Sequence, residues 1–158
     1  MLVPLRNSAH ALLLLLLVAA VVGCSKGKTQ WNDGRPPVFT AKGQVILDGQ
    51  PVEKATVTFQ PVDPEGRGGS AVTDAEGFFE AQTYEPGDGL TAGTHKVAIK
   101  KTLFVDKAGQ VVTEIREPGS AVEKDFLPKK YGTFEKSGLT VEVADSDGND
   151  LGQIVLEK

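Results

Sequence analysis

Cysteine and histidine, the side chains that most often act as nucleophiles, bases and metal ligands, are scarce in this chain. The sequence contains one cysteine, Cys24, and two histidines, His10 and His95. A single thiol excludes an intrachain disulfide and a thiolate cluster. A zinc site needs three or four ligands, which one histidine of the domain cannot supply. A serine triad would use His95 as its base, but the nucleophile motif Gly-x-Ser-x-Gly is missing from the sequence. We therefore expect no catalytic residue, no metal site and no cofactor.

One acidic stretch, Asp145–Asp150, has the spacing with which a calcium-binding loop begins. Asp145, Asp147 and Asn149 place oxygen atoms at alternate positions. The glycine, however, stands at the fourth position instead of the sixth, and Leu156 occupies the place of the bidentate glutamate. We favour a plain turn between two strands, and the calcium-binding alternative stays open.

The surroundings of Cys24 indicate an exported chain. Arg6 precedes an apolar stretch from Ala9 to Val22, and Gly23 stands directly before the cysteine. These are the charged, apolar and small-residue regions of a secretory signal peptide. The stretch is about 14 residues long, shorter than the ~20 that span a hydrocarbon core, which disfavours a transmembrane anchor. A conventional signal peptide would leave a free thiol, which needs an explanation in an exported protein.

The ending Val21-Val22-Gly23-Cys24 resembles the lipobox of bacterial lipoprotein signal peptides. The resemblance implies that the chain is cut before Cys24 and that its thiol carries a diacylglycerol thioether, with fatty chains such as palmitate. It also implies a lipid bilayer as a partner and the cell envelope as the location. Ser25 is not aspartate, which favours the outer over the inner membrane by analogy with lipoprotein sorting in some diderm bacteria.

The rest of the chain divides into a linker and one domain. Residues 24–37 are polar, contain glycine and end in Pro36-Pro37, which is typical of a flexible linker. Trp31 in this linker either reaches the membrane interface or docks onto the domain. The expected division is therefore 1–23 for the signal peptide, 24–37 for the lipidated cysteine and linker, and 38–158 for one folded domain.

The charge balance disfavours nucleic acid as a partner. The formal net charge is −4, from 17 basic and 21 acidic residues, and the basic side chains are scattered. A nucleic-acid interface requires basic residues that are clustered on one face. We therefore expect no nucleic-acid binding.

From residue 38 onward the sequence alternates between apolar and polar side chains in short segments. Phe79 and Ala81 are expected to face inward, and Glu80 and Gln82 to face water, as in a half-buried strand. Asp48-Gly49 is a strong signal for a tight turn between two strands, because glycine adopts positive φ without a steric clash.

Seven strands and one protruding hairpin are predicted from this pattern. The strands are Val38–Leu47, Ala55–Gln60, Ser70–Thr73, Phe78–Tyr84, His95–Lys101, Leu139–Val143 and Gly152–Glu157. The hairpin is expected to join Leu103–Val105 to Val111–Ile115 around Lys107–Gly109. The predicted fold class is all-β, a single antiparallel Greek-key β-sandwich of about seven strands.

The order of several motifs is similar to that of carboxypeptidase-regulatory-like domains in small bacterial lipoproteins. The segments that carry the resemblance are Gly43–Val52, Ala55–Pro61, Thr73–Phe79, Gly93–Val97, Leu127–Tyr131 and Ser137–Val143. It covers nearly everything from Phe39 onward and implies a transthyretin-like (prealbumin-like) sandwich. Enzymes on this fold and on a related sandwich need several histidines, tyrosine ligands or a C-terminal Tyr-Arg-Gly-Ser. This chain lacks those sets, so the resemblance implies no activity.

Three functions follow from these observations. The first is a lipid-anchored cell-envelope module that binds or spaces a partner without catalysis. The second is a carbohydrate- or peptidoglycan-binding module, for which Tyr84 and Tyr131 are the candidate ligand contacts. Phe104, Phe126 and Phe134 are further aromatic candidates for that role. The third, and least favoured, is a hydrolase with a carboxylate site.

Overall fold

The computed structural model of the protein describes residues 34–115 and 117–158. The predicted signal peptide, Cys24 and Trp31 lie outside the described residues. The strands, in chain order, are β1 (Val38–Phe39), β2 (Ala41–Leu47), β3 (Gln50–Pro51), β4 (Thr56–Pro61), β5 (Gly69–Val72), β6 (Phe78–Glu80), β7 (Leu90–Thr91), β8 (Gly93–Lys100), β9 (Thr102–Asp106), β10 (Ala121–Asp125), β11 (Leu139–Val143) and β12 (Asn149–Leu156). A 3₁₀ helix (Lys129–Gly132) and α1 (Phe134–Ser137) precede β11.

Two four-stranded sheets form the body of the domain. In the first sheet the strand order is β11-β8-β4-β5, and every neighbouring pair is antiparallel. In the second sheet β2 is central. β12 runs along one side of β2, while β3 and β6 follow each other along the other side. Two additional pairs, β1 with β7 and β9 with β10, complete the pairing.

The prediction of an all-β domain is confirmed, and each of the seven predicted segments contains a strand. The strands outnumber seven because a break at Thr40 divides the first segment into β1 and β2, and because β3, β7, β9 and β10 lie outside the seven segments. The antiparallel prediction is wrong for one pair, since β12 runs parallel to β2, with Ile154 beside Val45. Alternation identifies the faces of a strand and not its direction. Nearly the whole domain separates these two strands, which leaves ample chain for a parallel return.

The predicted protruding hairpin is only partly correct. Its turn is present: the Asp106 carboxylate accepts hydrogen bonds from the backbone N–H groups of Ala108 and Gln110. Val105 forms a single bridge to Val111 after this turn. The strand that pairs with β9 over five residues is β10, which begins at Ala121. Residues 111–115 therefore do not supply the main partner strand.

The core lies between the two sheets and contains side chains from both. Phe59 of β4 and Phe79 of β6 are in ring contact, with centroids 5.8 Å apart. Other side chains with essentially no exposed surface are Val45, Val57, Leu90, His95, Val97, Ile99, Val143 and Leu156. The predicted inward orientation of Phe79 and Ala81 is confirmed, because both are buried while Glu80 and Gln82 are exposed.

The predicted turns have the geometry that their residues favour. Asp48 and Gly49 both have positive φ, of 48° and 78°, as in the turns that join tightly paired antiparallel strands. The carboxylate of Asp74 accepts hydrogen bonds from the backbone N–H groups of Glu76 and Phe78. This turn reverses the chain between β5 and β6.

Thr73 fastens the end of β5 to the loop before β4. Its buried hydroxyl donates to the carbonyl of Val52 at 2.6 Å and accepts from the N–H of Ala55 at 2.8 Å. The bonds satisfy two backbone groups that would otherwise be buried without partners, which is costly.

The substitution Thr73→Val preserves side-chain volume but removes both hydrogen bonds. We expect the free energy of unfolding to fall by about 2–4 kcal/mol, because two buried backbone groups lose their partner. Urea unfolding of the variant measures this change. The matched control is Thr140→Val, at an exposed position of β11, which should alter stability little. Equal effects of the two substitutions would contradict the assigned role of Thr73.

Gly89 allows the loop after β6 to approach β1. Its φ is +95°, and a Cβ at this position would lie 1.8 Å from the carbonyl oxygen of Phe39. Gly109 also has positive φ, of +81°, but a Cβ there would meet no atom within 4 Å. The two glycines therefore separate backbone strain from steric overlap.

We expect Gly89→Ala to lower the free energy of unfolding by at least about 3 kcal/mol, because strain and overlap add. Gly109→Ala should cost only about 1–2 kcal/mol, from strain alone. Urea unfolding compares the two variants directly. If Gly89→Ala is as stable as Gly109→Ala, the close approach to Phe39 is not a constraint on the fold.

Candidate functional site

His95 is enclosed in the core and has no contact with solvent. Its side chain is 0% exposed, and its Nε2 lies 2.8 Å from the carbonyl oxygen of Thr91. Its Nδ1 is buried without a hydrogen-bond partner. On the neighbouring strands it lies beside Pro61 and Val141, neither of which bears a polar side chain. In this position the imidazole contributes to packing, and a substrate in solvent cannot reach it.

Tyr131, one of the two candidate ligand contacts, is a core residue. Its side chain is 6% exposed, in the 3₁₀ helix. Its hydroxyl accepts a hydrogen bond from the N–H of Glu157 at 2.9 Å and lies 3.3 Å from the carbonyl oxygen of the same residue. The ring therefore ties the helix to the end of β12 and presents no face to a ligand.

Tyr84, the other candidate, is half-buried in the loop after β6. The carboxylate of Asp88 shapes this loop by accepting hydrogen bonds from the N–H groups of Thr83, Tyr84 and Glu85. The hydroxyl of Tyr84 lies 3.5 Å from the carbonyl oxygen of Pro36.

The structure does not bring the two tyrosines together. The loop of Tyr84 begins beside the first residue of β2, because Ala81 donates to the carbonyl of Ala41. Tyr131 is bonded to Glu157, one residue beyond the pair of Leu156 with Leu47 at the other end of β2. The seven residues of β2 separate these positions by roughly 20 Å. The tyrosines cannot form one platform.

The acidic turn connects a strand of one sheet to a strand of the other. Asn149 holds it together: its side-chain oxygen accepts from the N–H of Ala144, and its side-chain nitrogen donates to the carbonyl of Ser146. The carboxylate of Asp147 accepts from the N–H of Thr40. In residues 34–115 and 117–158, no three His, Cys, Asp or Glu side chains are grouped so that they could hold a metal ion.

A groove opens between β5 and β6, where the two sheets meet. At one end Ser70 and Gln82 exchange both backbone hydrogen bonds, and at the other end the backbone N–H of Asp74 donates to the carbonyl of Phe78. Between these closures the backbones of β5 and β6 are not hydrogen-bonded to each other. We call this the seam groove; it has a volume of about 610 Å³. It is lined by Lys42, Gly43, Thr56, Ser70, Ala71, Val72, Asp74, Phe78, Phe79, Glu80, Gln82, Pro86 and Gly87.

Strand alternation determines which main-chain groups point into the groove. Ser70 directs its N–H and carbonyl toward Gln82, so Val72, two residues later, directs its own toward Glu80. In the described part of the chain, no hydrogen bond joins the backbones of Val72 and Glu80. Four main-chain groups therefore face the groove and are available to water or to a ligand.

The polar side chains of the seam groove differ from those of the turns. The turn carboxylates of Asp63, Asp88, Asp106 and Asp125 accept hydrogen bonds from nearby backbone N–H groups. In contrast, five polar side chains of the groove make no hydrogen bond or ion pair with the described residues. They are Lys42, Thr56, Ser70, Glu80 and Gln82. Four of them, all except Ser70, are exposed, so their polar atoms face solvent in the groove.

Phe78 adds an apolar surface to the groove and was not among the aromatic candidates. Its side chain is 53% exposed, and it pairs across the sheet with Gln44. The side-chain amide of Gln44 accepts a hydrogen bond from Gln153 at 2.9 Å, so an amide pair adjoins the ring. A signal was available in the sequence: in two consecutive phenylalanines of an alternating strand, Phe79 inward requires Phe78 outward.

Comparison with known proteins does not identify a family. No protein-family model and no curated protein matches the chain. A solved structure of a 9R-lipoxygenase from Cyanothece PCC8801 aligns with 94% of this chain at 16% identity and a TM-score of 0.36. The alignment covers 22% of the lipoxygenase chain. At that TM-score the likeness supports no argument about fold or function.

Within residues 34–115 and 117–158, no helix is both long and apolar enough to cross a bilayer.

Because Tyr131 lies in the core, we expect removal of its hydroxyl to affect stability and not ligand binding. Tyr131→Phe should lower the free energy of unfolding by about 1–2 kcal/mol, because the N–H of Glu157 loses its partner. Urea unfolding measures the change. Unchanged stability together with weakened binding of a saccharide would show instead that the hydroxyl contacts a ligand.

Proposed function

We propose that the protein is a lipid-anchored module of the bacterial cell envelope that binds a partner without catalysing a reaction. The anchoring is supported by the Arg6 and Ala9–Val22 segments that lead to Gly23-Cys24. Fatty chains on Cys24 would hold the domain at the bilayer, since two or more chains give stable attachment. We expect the polar sequence of residues 24–37 to act as a linker of roughly 20 Å on average.

The finer description of the fold is also a proposal: a Greek-key sandwich of the transthyretin-like, carboxypeptidase-regulatory-like type. Two four-stranded sheets around one core support it. Two of the motifs that carry the resemblance include turns between strands: Gly43–Val52 includes the β2–β3 turn, and Thr73–Phe79 includes the turn into β6. Gly93, with a φ of +109°, begins β8 as the motif requires.

The seam groove carries the proposal of binding. It combines five polar side chains without partners in the described residues and one exposed aromatic ring. A concave surface on which several polar groups converge beside an apolar one is typical of ligand sites. The proposal of no catalysis rests on the enclosure of His95, which leaves the groove without an imidazole base. A hydrolase would have to use Asp74 or Glu80 instead.

The proposed anchoring is tested by intact-mass analysis of the protein purified from membranes of a diderm bacterial host. We expect a chain that begins at Cys24 and carries the added mass of a diacylglycerol. Cys24→Ser should abolish this mass and the membrane attachment, because a serine oxygen cannot form the thioether. A free thiol with residues 1–23 still attached would overturn the proposal.

The proposed outer-membrane location has a separate test. Ser25→Asp should keep the lipid mass but move the protein from the outer-membrane to the inner-membrane fraction of a density gradient. A wild-type protein that sediments with the inner membrane would contradict the proposed location while leaving the anchor intact.

A further inference from the structure

We propose that the seam groove binds a neutral saccharide, with one sugar ring stacked on Phe78 and its hydroxyl groups bonded to the unused polar groups. This inference rests on the proposed binding function, because it names the ligand class of the same groove. It also revises the location of the expected contacts, which move from the two tyrosines to Phe78.

The mixture of donors and acceptors in the groove fits hydroxyl groups. Lys42 only donates and Glu80 only accepts, whereas Gln82, Thr56 and Ser70 can do both. The backbone groups of Val72 and Glu80 add donors and acceptors at the floor. A sugar hydroxyl both donates and accepts, so adjacent hydroxyls can satisfy such a mixed set in a way that a purely anionic or cationic ligand cannot.

The aromatic ring supplies the other half of sugar recognition. Phe78 projects from the outer face of its sheet with about half of its side chain exposed, while the adjoining Phe79 is fixed in the core by contact with Phe59. The C–H face of a sugar ring is apolar and packs on the face of an aromatic ring. The half-exposed ring of Phe78 can supply this apolar contact beside the polar groups of the groove.

The closed ends of the groove disfavour an added peptide strand. Strand addition needs a run of free main-chain groups along an edge. Here the hydrogen bonds between Ser70 and Gln82 close one end, and the bond between Asp74 and Phe78 closes the other. Only one residue of each strand, Val72 in β5 and Glu80 in β6, then has main-chain groups that are not bonded to the other strand. This opening is too short for a continuous strand.

The charges disfavour an anionic ligand. The groove contains one cation, Lys42, and two carboxylates, Asp74 and Glu80. Its net charge is therefore negative, which repels phosphates and nucleic acids. A neutral ligand avoids this repulsion.

The experiment uses the full chain purified from membranes in a zwitterionic detergent, so that no sugar headgroup competes. The probes are chitotetraose, cellotetraose and maltotetraose. Their binding is measured by saturation-transfer NMR and by titration calorimetry. Chitotetraose represents N-acetylated β-linked chains such as those of peptidoglycan, and the other two represent hexose polymers. We expect at least one probe to bind, with an affinity that changes less than about twofold between low and high salt, because the ligand is neutral.

Phe78→Ala should weaken that binding at least about tenfold. The matched control is Phe104→Ala, at an aromatic side chain that is 39% exposed on β9 and outside the groove; it should bind like the wild type. Because Phe78 is exposed, its removal should leave the fold intact, which circular dichroism verifies. Glu80→Gln is a second variant at the site and should change affinity several-fold without changing stability.

The outcomes separate this inference from the proposed function. Failure of all three probes to bind overturns the saccharide assignment. Binding that Phe78→Ala and Glu80→Gln leave unchanged overturns the location. Neither result affects the anchoring, which depends on the mass of the Cys24 product.

Discussion

The arrangement of the second sheet depends on β2, which is paired along both of its sides. β12, the last strand of the domain, occupies one side, and β3 and β6 share the other. Val45 at its centre has no exposed surface, and its main chain bonds to Gly77 and Val52. Because strands from the beginning, middle and end of the domain meet on β2, its pairing requires most of the chain to be in place. A change that displaces β2 therefore affects all three neighbours at once.

The same constraint produces the seam groove. β5 belongs to the first sheet and β6 to the second, so the short turn at Asp74 must carry the chain from one sheet to the other. The two strands are joined at Ser70 and Gln82 and again at Asp74 and Phe78, and between these closures each follows its own sheet. The groove is thus a consequence of how the sheets diverge, and its side chains are free because no strand covers them. This origin explains why a concave surface occurs where the two sheets meet.

Local features of the fold could be predicted from the sequence, and long-range pairing could not. The Asp48-Gly49 turn and the inward orientation of Phe79 follow from φ preferences and alternation, which act over a few residues. The parallel return of β12 and the pairing of β9 with β10 depend on which surfaces bury one another across most of the chain. For the same reason Tyr131, in a segment without clear periodicity, was expected to contact a ligand and lies in the core. Phe78 could have been found from its neighbour, because Phe79 inward requires it outward.

Strand β10 has a further consequence under the proposed attachment of the protein to a membrane. In the described part of the chain β10 has a single neighbour, β9, so its other main-chain edge is unpaired. Attachment to a bilayer confines copies to two dimensions and raises their collision frequency, which would favour edge-to-edge association. Glu123, Lys124 and Asp125 make this edge costly to dehydrate, as charged residues do on exposed strands of soluble proteins. The charged edge therefore lets the domain be crowded laterally without joining its sheets into a continuous ribbon.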